Sequence, residues 1–250
     1  MIKTNNTTKL GIQSWALRSL KSNRTLAQQL RRWGVGYVEL CEVHVDFKEP
    51  AGFDEAIAIY REAGVQIASI GVQVFHNEPT IERNYFEFAR RAGATLISAD
   101  FAVSTTPDCF RMVEKLAEEY DLRLAIHNHG GHHWLGNAQM LEHVFATTSE
   151  RIGLCLDTAW ALDAGENPIG MALKFRERLY SLHLKDFTFD SAGQPQDVVL
   201  GSGNLKLREL FTALRKADFR GFAFVEFEGS AGDPVATVGK CAKIVRAEWD

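Results

Sequence analysis

The sequence predicts an α/β fold, a single (β/α)8 barrel occupying residues 1–250 as one domain. Short apolar, strand-like segments alternate with amphipathic, helix-like ones along the whole chain. Strand follows strand at a spacing of about 30 residues, the length of one β-loop-α-loop unit. Eight such units joined by right-handed crossovers close on themselves into a barrel.

The strands are expected at Leu10–Ser14, Tyr37–Cys41, Gln66–Val72, Thr95–Phe101, Leu122–His127, Ile152–Asp157, Leu179–Lys185 and Phe222–Glu228. Each is short, apolar and bounded by Gly, Asp or Asn, the pattern of strands buried on both faces. Between them, Phe53–Gly64 places Ala56, Ile57, Tyr60 and Ala63 on one helical face and Asp54, Glu55, Arg61 and Glu62 away from it. Pro107–Tyr120 gathers Phe110, Val113, Leu116 and Ala117, and Leu207–Ala217 gathers Leu210, Phe211 and Leu214. Asp108 and Asp233 are expected to cap helices, and Gly34, Gly64 and Gly93 to end them. An open doubly wound sheet would carry a Gly-rich phosphate turn after its first strand, where this chain has Gln13-Ser14-Trp15.

Composition is that of an ordinary globular protein, 46% hydrophobic and 24% charged with 6 Pro, so the core needs no disulfide or structural metal. The net charge of −4 speaks against a nucleic-acid binder, which would show a basic stripe. Arg31-Arg32 and Arg90-Arg91 instead sit where helices should end and favour the helix dipole. Cys41, Cys109, Cys155 and Cys241 have no CxxC spacing and read as reduced, mostly buried thiols. Met1 to Lys9 is polar, unlike a signal peptide, and no apolar run approaches the ~18 residues of a membrane span. A cytoplasmic protein with no membrane and no nucleic-acid partner is expected; a homo-oligomer is compatible with all of this.

Polar side chains inside buried strands are costly unless paired or metal-bound, and barrels collect them at the carboxyl ends of strands. Strand five ends in His127-Asn128-His129, strand six in Asp157-Thr158, strand seven in His183-Leu184-Lys185-Asp186 and strand eight in Glu226-Phe227-Glu228. By alternation, His127 faces inward with Ala125, His183 with Ser181 and Lys185, and Glu226 with Phe224 and Glu228; Asp186 is left to the loop. His127, Asp157, His183 and Glu226 therefore converge on one point as a His₂-Asp-Glu set. Mixed N/O donors suit one divalent Mn, Zn, Co or Fe ion better than Ca²⁺. His132 and His133, after Gly130-Gly131, could extend the site.

The chain resembles the sugar phosphate isomerase/epimerase group of xylose isomerase-like TIM barrels over nearly its full length. The resemblance rests on Gly11-Ile12-Gln13-Ser14-Trp15-Ala16-Leu17-Arg18, Val38-Glu39-Leu40, Leu124–His129, Leu154–Thr158, His183–Asp186 and Phe224–Gly229. It implies a metal held by a Glu, an Asp, a His and a second Glu from strands five to eight, roles that fall on His127, Asp157, His183 and Glu226. Two departures follow. His127 replaces a glutamate that is both ligand and acid/base in many members, and Trp160 stands where many have histidine. His129 becomes the ligand if strand five is offset by two.

A metal at the barrel mouth would chelate a keto-sugar and stabilise the enediolate formed on α-proton removal. Glu226, Lys185 and His129 are the acid/base candidates. Trp15, Phe75, Trp134 and Trp160 are expected against the sugar, and Glu39 and Glu228 either against it or behind the ligands. The turn Gly201-Ser202-Gly203-Asn204 lies where barrels often hold phosphate, and equally reads as a surface loop. The leading expectation is a divalent-metal-dependent isomerase or epimerase of a sugar or keto-sugar. A lyase or hydratase acting on a keto-glycoside is the close alternative; an abasic-site endonuclease and a non-catalytic sugar-binding barrel are the others.

Overall fold

The computed structural model describes residues 9–229 and 233–249; the polar start, up to residue 8, lies outside the described residues. In chain order the elements are β1 (Lys9–Gln13), α1 (Asn23–Arg32), β2 (Tyr37–Leu40), α2 (Phe53–Glu62), β3 (Gln66–Phe75), α3 (Pro79–Ala92), β4 (Leu96–Phe101), α4 (Asp108–Tyr120), β5 (Arg123–His127) and α5 (Ala138–Thr147). They continue with β6 (Ile152–Asp157), α6 (Thr158–Asp163), α7 (Pro168–Lys174), β7 (Leu179–Leu184), β8 (Asp186–Phe189), β9 (Pro195–Val198), α8 (Leu207–Lys216), β10 (Phe222–Val225) and α9 (Pro234–Trp249). Eight strands close into a parallel barrel in the order β1-β10-β7-β6-β5-β4-β3-β2. This is the TIM-barrel architecture, with the helices packed outside and no described helix long and apolar enough to cross a membrane.

Local chemistry explains where the elements begin and end. Ser22 caps α1 by accepting from Thr25 N, and Arg31 and Arg32 occupy its last turn, as Arg90 and Arg91 do in α3. Asp233 Oδ1 accepts from the Val235 and Ala236 amides at the start of α9. Asp108 does not cap α4: Pro107 holds the cap position, and Asp108 sits in the first turn, paired with Arg111. Gly34, Gly64 and Gly93 end their helices with φ of 66°, 69° and 73°, a conformation that costs glycine least.

Two apolar regions result. The larger fills the space between strands and helices. The smaller, Leu96, Ala125 and Cys155, lies on the strand faces that point into the barrel. Small side chains at Gly11, Ser69, Ser98, Ala125 and Ser181 leave the lumen room for Phe224, whose burial contributes roughly 1.5–3 kcal/mol. A Cβ on Gly11 would stand 2.5 Å from Phe224 Cδ1. All four cysteines are free and buried.

The structure departs from expectation between β7 and α8. Asp186 does not enter a loop but opens β8, which pairs antiparallel with β9, Asp186 facing Val198 and Phe189 facing Pro195. Its buried carboxylate accepts from the amides of Gly201, Gly203 and Leu205, each at 2.9 Å. The turn considered for phosphate thus has its N–H groups turned onto a carboxylate of the chain itself. A phosphate arriving there would meet a like charge and amides already bonded.

Candidate metal centre

The mouth is built from pairs of clamps between adjacent strand ends. Asn128 joins β5 to β6, its Oδ1 accepting from Asp157 N at 2.8 Å and its Nδ2 donating to Asp157 O at 3.1 Å. Thr158 joins β6 to β7, donating to Lys185 O at 2.6 Å and accepting from Lys185 N at 3.1 Å. Asp157 is thereby fixed as the N-cap of α6, with Oδ1 accepting from Ala159 N and Trp160 N at 2.9 and 2.8 Å. Its other oxygen, Oδ2, is left pointing into the barrel, 3.4 Å from His127 Nε2.

The other three donors arrive from β5, β7 and β10. His183 turns Nδ1 towards Glu226 Oε2 at 3.1 Å and Nε2 towards Glu39 Oε1 at 2.7 Å. His127 Nε2 lies 3.8 Å from Glu226 Oε2. Glu226 follows the last residue of β10, yet its amide still donates to Leu184 O at 3.1 Å, so the ladder places it. One donor atom from each of His127, Asp157, His183 and Glu226 falls within 4.8 Å of the others, and all four side chains are buried.

Three polar atoms of these side chains have no hydrogen bond among the described residues. His127 Nδ1, His127 Nε2 and Asp157 Oδ2 are buried without a hydrogen bond, which in a dry site costs about 1–3 kcal/mol for each group. A divalent cation among them would satisfy two at once, and two imidazoles with two carboxylates form a donor set suited to Zn²⁺, Mn²⁺, Co²⁺ or Fe²⁺. The residues present fit such an ion.

Electrostatics sharpen the picture. Burial opposes charge on Glu226, yet Lys185 and His183 outweigh it and hold the carboxyl well below its usual range. Burial likewise opposes protonation of His127, but the Asp157 and Glu226 carboxylates raise it to about 9. Metal uptake therefore has to displace protons that these carboxylates retain. Glu39 is buried too, and its charge is sustained by His183 despite the desolvation, with Ser98 Oγ donating to Oε2 at 2.6 Å and Gln13 Nε2 to Oε1 at 3.2 Å.

Above these residues opens a cavity of about 200 Å³ lined by Gln13, Trp15, Cys41, Glu42, Gly71, Val72, His127, His129, Trp160, Glu226 and Glu228. Trp15 and Trp160, expected against a sugar, are on its wall, as are His129 and Glu228. Glu39 is not: it is fully buried behind His183, whose Nε2 lies 2.7 Å from its Oε1. Lys185 is also withdrawn, with Nζ bonded to Glu228 Oε2, 3.8 Å from Asp197 Oδ2 and 4.9 Å from the Trp160 ring centre. It reaches the cavity only through Glu228.

Phe75 and Trp134, expected against a sugar, do not line the cavity. The pairing register of β3 shifts between Ile70 and Gln73, which reverses the alternation and sends Phe75 outward onto Phe101, Tyr85 and Phe86. Trp134 donates Nε1–H to Phe101 O at 2.9 Å and packs on Phe110. Contributors that the sequence pattern does not single out include Glu42 on the cavity wall, Gln13, Asp100 and Asp197. Gln13 was in view as part of the first strand end, and Asp100 obeys the same rule at the end of β4. Asp197 comes from the unpredicted hairpin, and no local pattern pointed to it.

The chain is a parallel barrel that carries an acid-and-imidazole cluster at the carboxyl ends of its strands. The chain belongs to the xylose isomerase-like TIM-barrel family, whose profile matches residues 27–246. Inosose dehydratase 2 of Bacillus cereus is 25% identical over 200 residues, 74% of this chain and 61% of that protein. The chain thus spans about three-fifths of that relative's length. Two solved structures share the fold. A zinc-bearing IOLI protein superposes with a TM-score of 0.81 at 16% identity, over 97% of this chain and 98% of its own. The 3-keto-D-glucoside 4-epimerase YcjR from E. coli gives 0.75 at 16%, over 96% and 99%.

Proposed function

We propose that the chain is a metal-dependent lyase that removes water from a polyhydroxy ketone. The observation that carries this is the one-sidedness of the cavity. Its carboxylates, Glu42, Glu226 and Glu228, follow β2 and β10, the two neighbours of β1. Across the barrel, β5 presents imidazoles instead. An epimerase exchanges a proton between opposite faces of a carbon, whereas elimination can use an acid and a base on one face. The resemblance to inosose dehydratase 2 supports the same reading.

When bound, the cation supplies Lewis-acid polarisation of the ketone, making the adjacent C–H more acidic. Glu226, held ionised, accepts that proton on a carboxylate oxygen. The C–O bond to the β-hydroxyl then breaks, and its oxygen takes a proton from the Lys185–Glu228 pair and leaves as water. Lys185 keeps its proton because Glu226, Asp157 and Glu228 outweigh the cost of its burial. Trp15 and Trp160 offer faces for the C–H surface of the substrate and exclude water.

A second reading, isomerisation or epimerisation, is favoured by His129, which lines the wall facing Glu226 and could hold a second proton. Incubating the metal-loaded protein in D₂O with inososes and 3-keto-glucosides separates the two by NMR. Loss of water with formation of an unsaturated or diketone product is the expected outcome. Deuterium exchange with an intact carbon–oxygen skeleton supports the second reading, and neither change across the panel would sink both.

A further inference from the structure

The geometry points to a second cation site, formed by Asp100, His129 and His133, beside the His127–Asp157–His183–Glu226 group. Asp100 projects from the end of β4, His129 from the segment after β5, and His133 from the Gly130-Gly131 loop. Their donor atoms lie within 4.8 Å of one another. Asp100 Oδ2 stands 3.3 Å from His133 Nε2 and 4.0 Å from His129 Nδ1. Donors bound at about 2.0–2.1 Å to a tetrahedral ion lie about 3.3–3.5 Å apart, so small rotations of two histidines complete the set.

Each side chain is already aimed. Asp100 Oδ1 accepts from Phe101 N at 2.7 Å, which fixes the carboxylate and leaves Oδ2 to the histidines. His129 Nδ1 is buried without a hydrogen-bond partner among the described residues, an orphan of the same kind as those on His127. His133 Nδ1 lies 3.3 Å from the Leu135 amide, so without an ion its proton sits on Nε2, towards Asp100. Binding at Nε2 requires the other tautomer and gives up that long contact, a minor loss beside a metal–nitrogen bond.

The two groups touch, with the His127 and His129 rings 4.5 Å apart between centres, yet they differ in exposure. The first is closed by four buried ligands. In the second the side chains of Asp100, His133 and His129 are 12%, 28% and 36% exposed. Three ligands with open positions describe a site that also admits water or a substrate oxygen. Two imidazoles and one carboxylate select Zn²⁺, Co²⁺, Mn²⁺ or Fe²⁺ over Mg²⁺ or Ca²⁺.

Zinc titration of the full chain, stripped with chelator and followed by calorimetry and elemental analysis, tests this. Two equivalents are expected in the unaltered chain, the second weaker by at least tenfold. Asp100→Asn and His133→Ala should each bind one equivalent with the tighter affinity unchanged, and circular dichroism checks that both are folded. His183→Ala should instead lose the tighter equivalent and retain the weaker, so failure of the first centre reads differently from failure of the second. One equivalent in the unaltered chain, or two in both Asp100→Asn and His133→Ala, would overturn the second site.

Discussion

Replacing Glu39 by glutamine tests how the centre is held together without touching any proposed ligand. The Glu39 carboxylate accepts from His183 Nε2, Ser98 Oγ and Gln13 Nε2 at 2.7, 2.6 and 3.2 Å, all inside the barrel. An amide of the same shape can still accept from His183, with Ser98 turning to receive the new N–H. What disappears is the negative charge, and hydrogen bonds to charged groups are roughly twice as strong as neutral ones. His183 becomes a less basic and less firmly oriented donor. Loss of such a supporting carboxylate lowers metal affinity about 10–100-fold, or about 1.4–2.7 kcal/mol. Competition for Zn²⁺ against a chromogenic chelator measures this, with thermal unfolding in excess chelator confirming that the fold is intact. An affinity within about threefold of the unaltered chain would refute the role assigned to Glu39.

Three further outcomes are expected. Gly11→Ala places a methyl against Phe224 and the Tyr37 carbonyl, and such overpacking should cost about 1–3 kcal/mol in urea unfolding. Asp186→Ala strips three backbone amides of their acceptor and should cost at least about 3 kcal/mol, read as a lowered urea midpoint. Burial raises the Asp197 carboxyl from 3.8 to about 7 in spite of Lys185 nearby. Between those values the folded chain keeps a proton that the unfolded chain releases, so this group makes stability fall as pH climbs from about 4 to about 7. Asp197→Asn should flatten that decline; an unchanged slope in unfolding measured from pH 4 to 8 would remove Asp197 as its source.

The barrel was legible because its signal is repeated and covalently local. Ile152–Asp157 falls on its expected bounds, and the remaining strands differ by a few residues at their ends. The β8–β9 hairpin was not legible: four-residue strands around Asp190–Gln194, one beginning at Pro195, read as loop. The candidate centre was visible as polar residues at four successive strand ends, since alternation fixes which way they face. Phe75 misled because it lies beyond the expected strand end at Val72, whereas β3 runs on to Phe75 and a register shift that leaves no mark in the sequence turns the side chain outward. Lys185 lay on the expected face, but only the fold shows Glu228 and Asp197 drawn over it. Trp134 and Trp160 both looked like substrate-facing aromatics, and the partners that separate them, Phe101 O and the cavity wall, are distant in sequence.

If His127, Asp157, His183 and Glu226 hold one divalent ion, removing either of two ligands should release it. Elemental analysis of protein purified without added metal, comparing the unaltered chain with Asp157→Ala and His183→Ala, tests it most directly. Both variants should lose one tightly bound ion per chain while remaining folded by circular dichroism. Unchanged metal content in both would rule out an ion shared by these four side chains.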